Sequence, residues 1–182
     1  MNSRTTTLLK LGQEVVELSS FDRDLIQVHF YTGLHKKRHN QFWHDFWTRK
    51  LNAMRGQGVR VVTRQLLYIR VDTPAGVIHK GVEKGIDLRI GLDLVRLAHK
   101  NEYDVAIIFS QDTDLAEAVA EVKQIRQELN RWIIVESAFP SNPKLGAQKG
   151  IPGAQWRPFD KLLYDRCIDP TDYRPPRKQV QN

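Results

Sequence analysis

The stretch Val105–Asp114, Val-Ala-Ile-Ile-Phe-Ser-Gln-Asp-Thr-Asp, limits what this chain can fold into more than any other. Five consecutive apolar residues run into a polar end with two carboxylates two positions apart. A short apolar run without alternation suits a strand covered on both faces, as in a parallel sheet beneath helices. Beyond it, Leu115, Val119, Val122, Ile125 and Leu129 recur at helical spacing. The stretch therefore reads as a buried strand, a tight acidic turn and a helix. In open α/β sheets, ligands bind beyond the carboxyl ends of strands. Ser110, Asp112 and Asp114 would stand there, and paired carboxylates suit a hard cation such as Mg²⁺. An Asp just before a helix is also an ordinary N-cap. One carboxylate can cap while the other binds.

More carboxylates come from Lys80–Lys100. Ile86, Ile90, Leu94 and Leu97 have helical spacing, and Leu88, Leu92 and Val95 broaden the apolar face. A well-buried helix is expected. Asp87 falls in its first turn, as a cap or a ligand. Asp93 shares a narrow polar stripe with Arg89, Arg96 and Lys100, so ion pairs compete with a second-tier role at a metal site. Lys84 is either a phosphate contact or a solvated side chain.

Lys84-Gly85-Ile86-Asp87, a helix containing Asp93, and a strand ending Ser110-Gln111-Asp112-Thr113-Asp114 together resemble the NYN domain family. The usual family pattern is similar to Lys-Gly-Val-Asp followed by Ser-Gly-Asp-Ser-Asp-Phe. This chain has Gln111 for Gly, Thr113 for Ser and Leu115 for Phe, and it keeps the carboxylates. The resemblance spans roughly Leu8–Val135, a domain-sized stretch. It implies an α/β fold of three layers, Rossmann-like or PIN-like, with a mainly parallel sheet flanked by helices. The family usually opens with a strand ending in Asp, followed shortly by an Asn. Here the polar Met1–Thr7 leads straight into the helix that would follow, so the resemblance implies that this strand is lost or lies upstream.

Charge points the same way. The total is +7, yet His35–Arg70 carries nine Lys or Arg against Asp45 alone, a net of +8, leaving −1 elsewhere. Concentrated basic charge suits a polyanion, although a solvated helix face would explain it equally. The single cysteine, Cys167, cannot close an internal disulfide, which fits a reducing compartment. No apolar run reaches the length of a membrane span, so a soluble, cytoplasmic chain without a membrane partner is expected. A homo-oligomer is possible, but nothing in the sequence indicates one. The chain is long enough to bury a sizeable core.

The remaining elements are read from spacing and turn chemistry. A helix is expected around Leu8–Leu18, a strand over Asp24–Tyr31 and a basic loop over Gly33–Asn40. Gln41–Arg55 should be a helix with Phe42, Trp43, Phe46 and Trp47 packed into the core, while His35 and His39 could stack on bases. Strands follow at Val59–Thr63, Leu66–Val71 and Val77–His79, the last two closing a hairpin, and again at Trp132–Ser137. Pro140–Pro158 reads as a long loop, Phe159–Cys167 as a short helix and Asp169–Asn182 as an extended basic tail containing Arg174, Arg177 and Lys178. The expected division is an NYN domain over 1–138, then a Pro/Gly-rich loop, short helix and tail over 139–182.

What the resemblance implies about function is metal-assisted hydrolysis of RNA phosphodiester bonds, single-stranded RNA being favoured. Asp87, Asp112 and Asp114 would hold Mg²⁺ or Mn²⁺ with Asp93 second-tier, Ser110 would support the site, and Lys36, Lys37, Arg38 and Lys84 would contact phosphates. Shared ligation requires the carboxylates within about 4–7 Å of one another. The alternative is a catalytically impaired RNA-binding or regulatory module of the same fold. A dinucleotide-binding Rossmann protein ranks lower, because no glycine-rich strand-to-helix turn of that type is present.

Overall fold

The computed structural model describes residues 5–146 and 148–176. In chain order the elements are β1 (Thr5–Thr6), α1 (Leu8–Glu17), β2 (His29–Leu34), α2 (Gln41–Gly56), β3 (Arg60–Gln65), β4 (Leu67–Thr73), β5 (Gly76–Val82) and α3 (Ile86–His99). Then follow β6 (Val105–Ile108), a 3-10 turn at Thr113–Leu115, α4 (Ala116–Glu128), β7 (Ile134–Pro140), a second 3-10 turn at Pro143–Leu145, β8 (Gln155–Phe159), α5 (Lys161–Arg166) and β9 (Ile168–Asp169). The architecture is mixed α/β with parallel sheets. The chain divides into two compact units, one formed by residues up to Ile26 with Asp87–Asp169, the other by Gln27–Ile86 with residues from Pro170 onward.

In the first unit, β6, β7 and β8 form a parallel three-stranded sheet in that order. Val105 pairs with Ile134 and Ile108 with Ser137 across β6 and β7. Helix α4 is the crossover between them. Alternation along β7 sends its side chains to two cores. On one side, Ile133 and Val135 join Leu94 and Ala98 of α3 and Val119, Val122 and Ile125 of α4. On the other, Ala138 packs with Leu11 and Val15 of α1, Phe159, and Leu163 and Cys167 at α5. Truncating a fully buried core residue such as Ile125 to Ala should cost about 2–5 kcal/mol.

Helices α3 and α4 end in the same way. Asn101 (φ 60°) and Asn130 (φ 46°) take the left-handed conformation. The next residue then reaches back, Glu102 N–H to Leu97 O at 3.0 Å and Arg131 N–H to Arg126 O at 3.0 Å. These bonds satisfy terminal carbonyls, and Asn tolerates the required φ better than a β-branched residue.

In the second unit, β2 and β3 are parallel, His29 opposite Arg60 through Leu34 opposite Gln65. Helix α2 connects them. Asn40 caps it by accepting from Trp43 N–H at 3.1 Å. Its buried face is Phe46, Lys50, Leu51 and Met54. Strands β4 and β5 form an antiparallel hairpin, Leu67 opposite Val82 through Thr73 opposite Gly76.

Several expectations change. Strand β2 starts at His29, and Ile26 is exposed. Of the four α2 aromatics only Phe46 is buried, while Phe42 and Trp43 are exposed. They extend past the side that packs, and the i,i+4 spacing does not reveal how wide the buried face is. Leu88 and Leu92 likewise stand exposed, so the buried face of α3 is narrower than its composition suggests. The long loop contains β8, masked in sequence by Pro158. A proline is tolerated there because β8 is the edge of its sheet. Within the tail, Tyr173 is buried and meets Phe46 edge-on at 6.3 Å. Within the polar Met1–Thr7, where no strand is expected, Thr5–Thr6 pairs antiparallel with Ile168–Asp169. Arg177 and Lys178 lie outside the described residues.

Candidate functional site

The turn after β6 is held by its own side chains. Asp112 N–H donates to Ser110 Oγ at 3.0 Å. Asp112 Oδ1 in turn accepts from Asp114 N–H at 3.0 Å, capping the 3-10 turn that leads into α4. The capping role expected for an Asp here is therefore filled by Asp112. A second anchor comes from β7, where Ser137, fully buried, donates from Oγ to Ser110 O at 2.6 Å and accepts from Ile151 N–H at 3.1 Å. Gln111 Nε2 donates to Lys149 O at 2.8 Å. The backbone carrying both carboxylates is thus tied to β7 and to the 148–151 segment. Asp112 is half-buried and Asp114 exposed, and neither makes an ion pair among the described residues.

Asp87 sits exposed in the first turn of α3. The short link 100–104 joins the end of α3 to the start of β6, so α3 begins toward the carboxyl end of β6, where α4 also begins. The helices approach closely at Gly91, where an added Cβ would stand 3.2 Å from Ala118 Cβ. Asp87 and Asp114 each lie about one helical turn before these contact positions.

Asp93 has a different environment. It is 3% exposed, with Oδ2 accepting from Arg89 Nε at 2.9 Å and Oδ1 paired with Arg96 Nη2 at 3.0 Å. The ion pairs expected along that stripe are present, and they balance its buried charge. Among the described residues no group of three or more His, Cys, Asp or Glu could hold a metal ion. The donor chemistry at the turn still suits a hard cation. Mg²⁺ is commonly held through one or two carboxylates plus substrate phosphates rather than by an all-protein cage.

The basic candidates belong to the second unit. Lys36, Lys37 and Arg38 line a cleft of about 470 Å³ with His35, His44 and Gln65. His44 Nδ1 donates to His35 O at 2.7 Å, and His35 Nδ1 lies 2.9 Å from the Tyr68 hydroxyl. Burial, then the neighbouring His44, holds the His35 imidazole below its ordinary pKa. Local desolvation, followed by Arg38, His79 and Lys36, does the same for His39. Lys84 is exposed, and the adjoining Gly85 has φ 73° with Arg64 Nη1 donating to its carbonyl at 3.1 Å. A side chain at Gly85 would strike that guanidinium. Lys50, counted among the basic residues, is buried beside the Trp47 ring at 5.5 Å. Tyr68 and His79 were not singled out from the sequence. The signal was the period-2 alternation of the hairpin, which puts Tyr68, Arg70 and His79 on one face.

No helix is long and apolar enough to cross a membrane among the described residues. No curated protein and no solved structure is found to match the chain. A family model described as NYN domain matches residues 5–144, covering both acidic motifs. With this match over most of its length, the chain belongs to the NYN domain family, a PIN-like nuclease family whose members generally use divalent metal ions and act on RNA.

Proposed function

We propose that the domain is a metal-dependent ribonuclease, built on the three-layer scaffold of its family, that hydrolyses phosphodiester bonds of single-stranded RNA. The observation that carries this reading is the anchored acidic turn at the end of β6, where Asp112 and Asp114 keep carboxylate oxygens available beside a fixed backbone. Asp112 and Asp114 would hold Mg²⁺ or Mn²⁺, with Asp87 as a further ligand from α3. When bound, the ion supplies Lewis-acid polarisation and neutralises charge on the phosphate. Ser110 holds the turn through Asp112 N–H, and Asp93, neutralised by Arg89 and Arg96, positions α3. Lys36, Lys37, Arg38 and Lys84 contribute RNA affinity through phosphates.

The second reading is an RNA-binding or regulatory module without a working metal centre. It is favoured by the absence of a three-carboxylate group among the described residues. Asp112→Asn separates the two. Asn caps a helix about as well as Asp, so folding is kept while one ligand charge is lost. Cleavage of single-stranded RNA with Mg²⁺ or Mn²⁺ should fall at least about 100-fold, equal to about 2.7 kcal/mol of transition-state stabilisation. RNA affinity should hold. Equal cleavage by both proteins would overturn the assignment of Asp112, and RNA binding without any metal-dependent cleavage would favour the binding module.

A further inference from the structure

The β4–β5 hairpin carries two unlike faces. Register and alternation put Leu67, Ile69 and Val71 on one face with Ile78 and Val82, and Tyr68 and Arg70 on the other with Gly81 and His79. On the second face the His39 ring lies flat against Tyr68, with centroids 3.9 Å apart and planes at 16°. His79 adds a third ring 5.7 Å from His39. Tyr68 faces Gly81 across the hairpin, where an added Cβ would come within 3.5 Å of the tyrosine ring. The ring is held from two directions, by His39 stacked on it and by His35 at its hydroxyl.

The charge around this stack is chiefly basic. Leu34–His44 contains Lys36, Lys37 and Arg38 and no acid. On the hairpin face the acid is Asp72, already paired with Arg70 at 3.2 Å. Exposed rings beside Lys36, Lys37 and Arg38, which make no ion pair among the described residues, match the chemistry of unpaired bases joined by phosphates. A duplex keeps its base faces stacked inside, so it cannot use such a platform.

We propose that His39, Tyr68 and His79 form a stacking platform for unpaired bases of single-stranded RNA, whose adjoining phosphates run along Lys36, Lys37 and Arg38. This inference rests on the reading of the domain as RNA-directed, and it names how the strand is gripped. Exposed His39 and His79 offer ring faces to a base, and Tyr68 stiffens the stack so that little conformational freedom is lost on binding.

The test is binding of a labelled single-stranded oligouridylate to the full chain, without divalent metal, followed by fluorescence anisotropy. A sugar-phosphate strand of equal length lacking bases is the comparison ligand. His39→Ala and Tyr68→Ala should each weaken the RNA about 5- to 150-fold, the range for one lost stacked base. Both should leave the baseless strand and the salt dependence nearly unchanged, because Tyr68→Ala removes no charge and His39 is mostly neutral at neutral pH. Tyr68→Phe keeps the ring and should bind like the parent. If His39→Ala, in an exposed loop, binds RNA as the parent does, or if both ligands weaken equally, the platform is wrong. Stronger capture of an acidic peptide than of RNA would also overturn it. Ring-dependent RNA binding without cleavage would sustain this inference and remove the nuclease reading. Metal-dependent cleavage with affinity indifferent to His39 and Tyr68 would do the reverse.

Discussion

Single side chains hold the acidic turn in place. Asp112 both caps and carries charge, so its substitutions should divide the two roles. Asp112→Asn should lose activity with stability kept, whereas Asp112→Ala should also lose about 1 kcal/mol of stability by urea titration. Ser137 acts from beneath. Ser137→Ala removes the partner of Ser110 O and Ile151 N–H in a buried place, so it should cost about 1–3 kcal/mol. It should also lower cleavage without touching substrate. The histidines give a pH dependence of known sign. His35 and His39 are held below their ordinary value of 6.5 in the folded chain. Below about pH 6.5 the unfolded chain therefore binds more protons than the folded one, and stability falls as pH drops through that window. Thermal unfolding from about pH 7 to about pH 5 should show this decline, and it should shrink in a His35→Gln, His39→Gln double variant. A pH-independent contribution from these two positions would contradict the desolvation and neighbouring positive charge that hold their pKa values down.

Elements set where the carboxylates stand. The close approach of α3 and α4 depends on Gly91, because any side chain there must share space with Ala118. Gly91→Ala trades a helix-propensity gain of about 1 kcal/mol against tight contact and should be near neutral. Gly91→Val should cost about 1–3 kcal/mol through overpacking. The same variant should reduce cleavage more than its stability loss explains, since Asp87 is carried on that helix. In the sheet, Glu136 of β7 is 1% exposed and held by Arg23 at 3.0 Å and Arg157 at 2.8 Å. The bonds come from Arg23 Nη1 and Arg157 Nη2, while the buried Arg23 Nε and Nη2 and Arg157 Nε have no hydrogen-bond partner among the described residues. Glu136→Leu would strand two cations over the α1 core, so a loss of about 3–5 kcal/mol is expected from equilibrium unfolding. A loss under 1 kcal/mol would mean that water replaces the carboxylate at little cost.

For the whole molecule, charge is the property that matters most to a polyanion. Lys36, Lys37 and Arg38 together replaced by Ala should reduce the salt slope of single-stranded RNA binding by about two units, at roughly 0.7 per phosphate contact. An unchanged slope would make that loop a solubilising feature only. The sequence by itself determined the α/β class, the strand–acidic turn–helix at Val105–Leu129, the basic segment and the family, because periodicity, terminal polarity and motif spacing are local properties of the chain. It also anticipated the ion pairs of Asp93, whose partners are one turn away on the same helix. The rest was decided by contacts between residues far apart in sequence. Strand β8 exists because an edge position excuses Pro158. Leu88, Leu92, Phe42 and Trp43 stay exposed because burial depends on what packs opposite, which periodicity does not report. Ser137 became the anchor of the acidic turn through pairing of β6 with β7. Tyr68 and His79 met His39 only because the hairpin register and the folded basic loop brought the three rings together.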